Sequence, residues 1–322
     1  MNWRATAWGA VFIPSVVGLL AVSSWAAAPD PVAVVVELRP GNGQIQVRRA
    51  NEATWTPAQP LLSLREGDQI AVVGDGRVAL TFAGGRGTRV VTAVDSPFSV
   101  EAVAGRTVAN VAGGVAARVV DFLLGSRRES DSVHIGVRPA PPIRVAILSP
   151  RDSRLFPGPV VFEWTGFQSL RYRVRVTGPE GILWESRDLP LGQVPYPTSA
   201  PPLRAGIRYR WSLEAREVPA EEAFFELLSL DQADVIRREL ESVAGSVTSE
   251  TSRTGRIVVR AAYLVQQSLY VEARRELAAG IASDPAEPTL RYLSGVLYER
   301  LGLSRMAEQE FLEARDLIDR RP

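Results

Sequence analysis

From Val32 to Val103 apolar and polar residues mostly alternate, a period of two that predicts short half-buried strands. Val34-Val35-Val36-Glu37-Leu38 runs into Pro40-Gly41-Asn42-Gly43, whose Asn-Gly pair favours a tight hairpin turn. Ile45 and Val47 then alternate with Gln44, Gln46 and Arg48. Asp75-Gly76 gives a second hairpin signal ahead of Val78, Leu80 and Phe82, and Gly84-Gly85-Arg86-Gly87 leads into Thr88-Arg89-Val90-Val91. Strands this short with turns this regular predict a small all-β domain over residues 31–104.

The period changes at Arg106. Val108, Val111, Val115, Val119, Phe122 and Leu123 fall at helical spacing as far as Leu124. Arg118 and Asp121 interrupt the run, which is too short and polar to span a bilayer. A helix packed on the neighbouring β domain is expected. A membrane-surface helix is the alternative, but no Arg-rich polar face accompanies it. Gly125 to Pro142 is polar and then Pro-rich, so residues 105–142 read as helix plus linker. β character returns with Phe162-Glu163-Trp164, Tyr172-x-Val174-x-Val176 and, after the Gly178-Pro179-Glu180-Gly181 turn, Trp184. Leu203-x-x-Gly206-x-x-Tyr209-x-Trp211-x-Leu213 closes a sandwich expected over 143–217.

From Ala220 onward helices are expected to the end, 220–322. Phe224, Leu227 and Leu228, then Val235, Ile236 and Leu240, outline one or two of them, and Thr248 to Gly255 reads as a loop. Beyond it a repeat emerges at an offset of 34. Leu264 aligns with Tyr298, Leu269 with Leu303, Ala273 with Ala307, Glu276 with Glu310 and Leu277 with Phe311. Two such units are few for a free-standing array, so the upstream helices are expected to cap the stack.

Three family resemblances follow from these residues. Gly43-x-Ile45-x-Val47, Leu64-Arg65-Glu66-Gly67-Asp68-Gln69-Ile70 and Gly76-x-Val78-Ala79-Leu80-x-Phe82 resemble the FecR-like periplasmic domain, with Ala83-Gly84 where that family usually carries an acidic residue. The family's founding regulators relay a signal through a cytoplasmic anti-sigma segment; the leader described below leaves no room for one, so that activity is not expected. Trp164 and Tyr209 match the core Trp and corner Tyr of fibronectin type III or immunoglobulin-like domains. The 34-residue units resemble tetratricopeptide repeats, whose small Ala lies where two helices cross closely. The expected fold class is therefore multidomain β + α: a small all-β FecR-like domain, a β-sandwich and C-terminal tetratricopeptide-like hairpins.

Arg4, the apolar run Ala5 to Val22 and the small residues up to Ala28 form a secretory signal, with cleavage expected after Ala26. A mature periplasmic chain with no transmembrane segment is expected; an uncleaved leader would instead act as an anchor. All 37 basic residues are Arg and there is no Cys, which excludes P-loop and Schiff-base lysines, thiolate nucleophiles and Cys-based metal sites. From Glu221 onward 13 Arg face 18 acidic residues, and no dense basic run exists, so nucleic acid is not an expected partner. The single His134 lies in the linker without a second His or a Gly-x-Ser-x-Gly elbow. The Gly-rich stretches at 74–76 and 84–87 sit between strands, as turns rather than phosphate cradles. Glu163, Glu180, Glu185 and Asp188 share one module but no evident cleft.

No catalytic, metal or cofactor residues are expected. The expected function is non-enzymatic interaction with a protein of the cell envelope, with a sensing or relay role for the first domain. Tetratricopeptide stacks bind extended segments in a groove lined by the first helix of each unit. That resemblance points to Arg260, Tyr263, Gln267, Ser294, Leu297 and Arg300 as partner-binding residues, unless the apolar ones pack between helices. Two alternatives stay open: a cell-wall or glycan-binding module using Trp55 or Trp184, and a degenerate carbohydrate-active enzyme.

Overall fold

The structure, a computed structural model, describes residues 30–83, 87–101, 145–245 and 252–319, together with Val119, Phe122, Leu123 and Val247. It combines antiparallel sheets in the N-terminal part with five C-terminal helices.

The first module pairs two four-stranded sheets. β1 (Ala33–Arg39), β4 (Ser63–Leu64), β6 (Arg77–Phe82) and β7 (Thr88–Thr92) form one, in the order β4-β1-β6-β7. β2 (Gln44–Arg48), β3 (Thr56–Pro57), β5 (Gln69–Val73) and β8 (Phe98–Ser99) form the other, in the order β3-β2-β5-β8. Ala33, Val35, Leu38, Ile45, Val47, Ile70 and Leu80 fill the space between them. The Gly67-Asp68 turn has a structural purpose. Asp68 is buried and accepts hydrogen bonds from the Ala50 and Arg65 amides at 3.1 and 2.9 Å and from Arg49 Nη1 at 2.7 Å, tying the 49–50 loop down. Asp75 likewise fills the glycine-flanked turn at 74–76 by accepting from the Asn42 amide at 2.6 Å.

The second module is a sandwich. β10 (Ser153–Leu155), β12 (Tyr172–Gly178), β13 (Gly181–Leu189), β15 (Arg208–Ala215) and β16 (Val218–Leu227) make a five-stranded sheet in the order β10-β16-β15-β12-β13. β9 (Ala146–Ser149), β11 (Val161–Thr165) and β14 (Gln193–Pro195) make a three-stranded one, ordered β14-β11-β9. Phe162, Trp164, Trp211 and Phe225 pack between them. Two tyrosines tie corners back five residues: Tyr209 Oη accepts from the Arg204 amide at 2.7 Å, and Tyr172 Oη accepts from the Phe167 amide at 2.8 Å. Residues 218–227 are strand where helix was expected from Ala220. Ala223, Phe225 and Leu227 are buried in alternation, and the strand pairs with β15 along its length, so sheet completion overrides the apparent helical spacing of Phe224, Leu227 and Leu228.

Helices begin at α1 (Leu230–Gly245) and continue as two hairpins, α2 (Arg253–Gln266) with α3 (Tyr270–Ser283) and α4 (Pro288–Arg300) with α5 (Ser304–Asp319). The expected loop reaching Gly255 ends earlier, because Ser252 caps α2 by accepting from the Gly255 amide. The 34-residue offset repeats in the backbone. The Leu269 and Leu303 amides each donate at 2.8 Å to the carbonyls of Leu264 and Tyr298, and the left-handed turn falls on Ser268 and Gly302 at equivalent positions. Ala273 and Ala307 are buried at the hairpin crossings. The expected helix 106–124 and the linker to Pro142 lie outside the described residues, apart from Val119, Phe122 and Leu123. Those three are helical; Val119 and Leu123 are buried in the core that the helices share with the first module, and Phe122 packs against it. Among the described residues no helix is long and apolar enough to cross a membrane.

Candidate functional site

β1 is apolar at nearly every position because both of its faces are covered. Ala33, Val35 and Leu38 face their own sandwich, while Val34 and Val36 belong to the core formed with α1–α5. Both α2 and α4 pack against β1. Gly255 on α2 leaves room for it: a side-chain carbon there would lie 3.1 Å from Val36 Cγ2.

A bulge between Val35 and Glu37 turns a carboxylate into this seam. Glu37 is 1% exposed; its Oε1 accepts from Arg39 Nε at 2.7 Å and Arg77 Nη2 at 2.6 Å, and its Oε2 accepts from Ser252 Oγ. Glu287, also 1% exposed, is the N-cap of α4 and accepts at Oε1 from its own Thr289 amide at 3.1 Å. The same oxygen accepts from the Leu38 amide at 3.1 Å, so one carboxylate closes a helix end and a strand edge 249 residues apart. Arg39 also pairs with Asp284, the C-cap of α3, and its Nε stands 3.5 Å from Glu287 Oε2. Glu287 Oε2 has no hydrogen-bond partner. Burial pushes the Glu287 carboxyl up to about 7, with the Glu37 charge adding to the rise and the hydrogen bonds from Thr289 and Leu38 opposing it.

The sandwich grips the opposite ends of the hairpins. The Arg154 amide donates to the Ser268 carbonyl at 2.8 Å, Ser153 Oγ accepts from the Tyr270 amide at 3.1 Å, and Arg151 Nε donates to the Leu301 carbonyl at 2.8 Å. Arg274 on α3 pairs with Glu163 on β11.

This packing decides where the expected partner-binding residues lie. Tyr263, Ser294 and Leu297 are buried and line no open surface. Their helices pack against β1, and Tyr263 Oη donates to Glu239 on α1 at 2.6 Å. Gln267 is half-buried at the α2 C-cap, and Arg300 is exposed with its guanidinium 5.4 Å from the Phe122 ring centre. Arg260 alone of the six lines an open groove, of about 390 Å³, between α1, α2 and α3. Its Nε donates to Glu276 at 2.9 Å, and Glu241 stands 3.7 Å away. Arg253 and Arg256 share that groove two turns and one turn earlier on the helix, exposed and half-buried respectively, and neither has an ion-pair partner among the described residues. Sequence reasoning placed Arg253 in a loop reaching Gly255 and began the groove face at Arg260, so both were passed over; their spacing with Arg260 was the available signal.

The other candidates are spoken for. Trp184 stacks on Phe162 at 5.9 Å in the sandwich core, and Trp55 lies under the Arg48 guanidinium at 4.9 Å. Glu163, Glu180 and Glu185 each pair with an Arg, and Asp188 sits at φ 56° where the register of β13 against β12 shifts. His134 and residues 84–86 lie outside the described residues. Among the described residues no group of His, Cys, Asp and Glu is arranged to hold a metal ion. No family model matches the chain, and no curated protein matches it.

Proposed function

We propose that this chain is a non-enzymatic interaction protein of the cell envelope, whose partner docks a carboxylate-bearing segment into the groove around Arg260. A FecR-like domain, a fibronectin type III or immunoglobulin-like sandwich and tetratricopeptide-like hairpins form its scaffold. The observation that carries this is the pair Arg253 and Arg256, two guanidiniums without ion-pair partners among the described residues in a groove of about 390 Å³. The guanidinium fork suits carboxylates, and Arg260, held by Glu276, continues the row. The leader supports export to the periplasm. The repeated 34-residue turn and the Tyr209 corner support the two family assignments they concern.

A photo-reactive residue at Ala279, exposed in the same groove, tests the proposal in the full chain expressed in cells. A discrete protein adduct is expected, reduced at least tenfold by the double substitution Arg253→Glu/Arg256→Glu with the melting temperature unchanged. An adduct indifferent to that charge reversal would refute the groove. Retention of the purified chain on isolated cell-wall sacculi would favour the glycan-binding alternative instead.

A further inference from the structure

We propose that Glu287 is a proton-sensitive pin between modules: protonated, it holds β1 against α4, and ionised, it releases the N-terminal β domain from the helices. The geometry makes the case. Glu287 is buried at the seam, its Oε1 bonds across the modules to the Leu38 amide, and its Oε2 has no hydrogen-bond partner. The charged groups around it come from every element packed there. β1 contributes Glu37 and Arg39, β6 contributes Arg77, α3 contributes Asp284, and the Ser252 hydroxyl and Thr289 amide stand at the caps of α2 and α4. Two guanidiniums therefore serve Glu37, Asp284 and Glu287 together. Glu37 takes both of them, and Arg39 divides itself among all three acids. The anion left short is Glu287. A proton on its Oε2 removes that charge and supplies a hydrogen to donate, while leaving Oε1 free to keep both amide bonds.

The direction follows from linkage. The docked carboxyl lies near 7 against 4.5 when solvated, so the docked state binds the proton more tightly than the open one. Docking is strongest below the solvated value, weakens as pH rises through the interval, and levels off above 7. Between pH 5 and 8 the docking equilibrium should fall by nearly two orders of magnitude, roughly seventyfold. Release would uncover the α2–α4 face on which β1 rests.

Native-state hydrogen exchange on the full chain reads this directly, with rates corrected for the intrinsic pH dependence. Two amides lie on opposite sides of the seam: Leu38, bonded to Glu287, and Gly255, bonded to Ser252 and without contact to Glu287. Val174 in β12 serves as the remote reference. Protection at both Leu38 and Gly255 should drop about seventyfold from pH 5 to pH 8 while Val174 stays constant. Glu287→Gln keeps the amide acceptor and should make both profiles flat. The wild-type comparison stands even if that variant folds poorly. Flat wild-type protection, or loss at Leu38 without loss at Gly255, would overturn the proposal.

Discussion

Gly255→Ala tests the docking of β1 through its coupling to Val36, because the contact with Val36 Cγ2 exists only when β1 is docked, whereas that with Ser252 lies within the helix cap itself. Ala is intrinsically favoured over Gly in a helix interior by about 0.8–1 kcal/mol. In the docked structure the new carbon would meet Val36 Cγ2 at 3.1 Å and Ser252 Oγ at 2.7 Å. Neither neighbour yields easily. Val36 is buried within a paired strand, and Ser252 Oγ is held both by the Gly255 amide and by Glu37. Overpacking of this kind costs about 1–3 kcal/mol, so the balance should be a net loss of about 1–2 kcal/mol. Val36→Ala should cost about 2 kcal/mol by itself through lost burial and a cavity. Combined with Gly255→Ala it removes the Val36 atom that the new carbon strikes and leaves the contact with Ser252. The double variant should then be more stable than the sum of the single losses by about 1 kcal/mol, a coupling readable in a double-mutant cycle. Urea unfolding of the full chain at constant m-value is the assay. Stabilisation by Gly255→Ala alone, or strict additivity in the cycle, would refute the seating of β1 on α2.

Ala273→Leu should cost about 1–3 kcal/mol, because Ala273 is fully buried at the α2–α3 crossing, and the loss should show in thermal unfolding. Ala307→Leu, at the equivalent but slightly more open crossing of α4 and α5, should cost less.

Much of the architecture was legible because local and tertiary preferences agree over most of the chain. Alternation marked β2, β6 and β12, and the offset of 34 falls on equivalent turns of the two helical hairpins. What escaped were the places where modules meet. β16 carries the spacing Phe224, Leu227, Leu228, which suits a helix taken alone, yet its alternate residues complete a sheet with β15. The unbroken apolar run of β1 held the clue to a strand covered on both faces, but nothing local says that the second cover is helical. The carboxylates of Glu37 and Glu287 read as ordinary surface charges in sequence; only folding brings them together across 250 residues and removes them from water. For the same reason sequence left open whether Tyr263 and Leu297 line a groove or pack between helices. Both are buried in the core that the helices share with β1.

The most direct test of that seating is a covalent one. The chain has no cysteine, so the pair Val36→Cys and Gly255→Cys introduces the only two thiols, at positions whose side chains would touch. A side-chain carbon at 255 would stand 3.1 Å from Val36 Cγ2, which brings the two β-carbons near the separation of about 3.5–4.5 Å that a disulfide needs. Mild oxidation of the native full chain should join the two quantitatively, giving a peptide map that links β1 to α2 and disappears on reduction. Two free thiols persisting under the same oxidation, with the chain fully folded, would contradict the account.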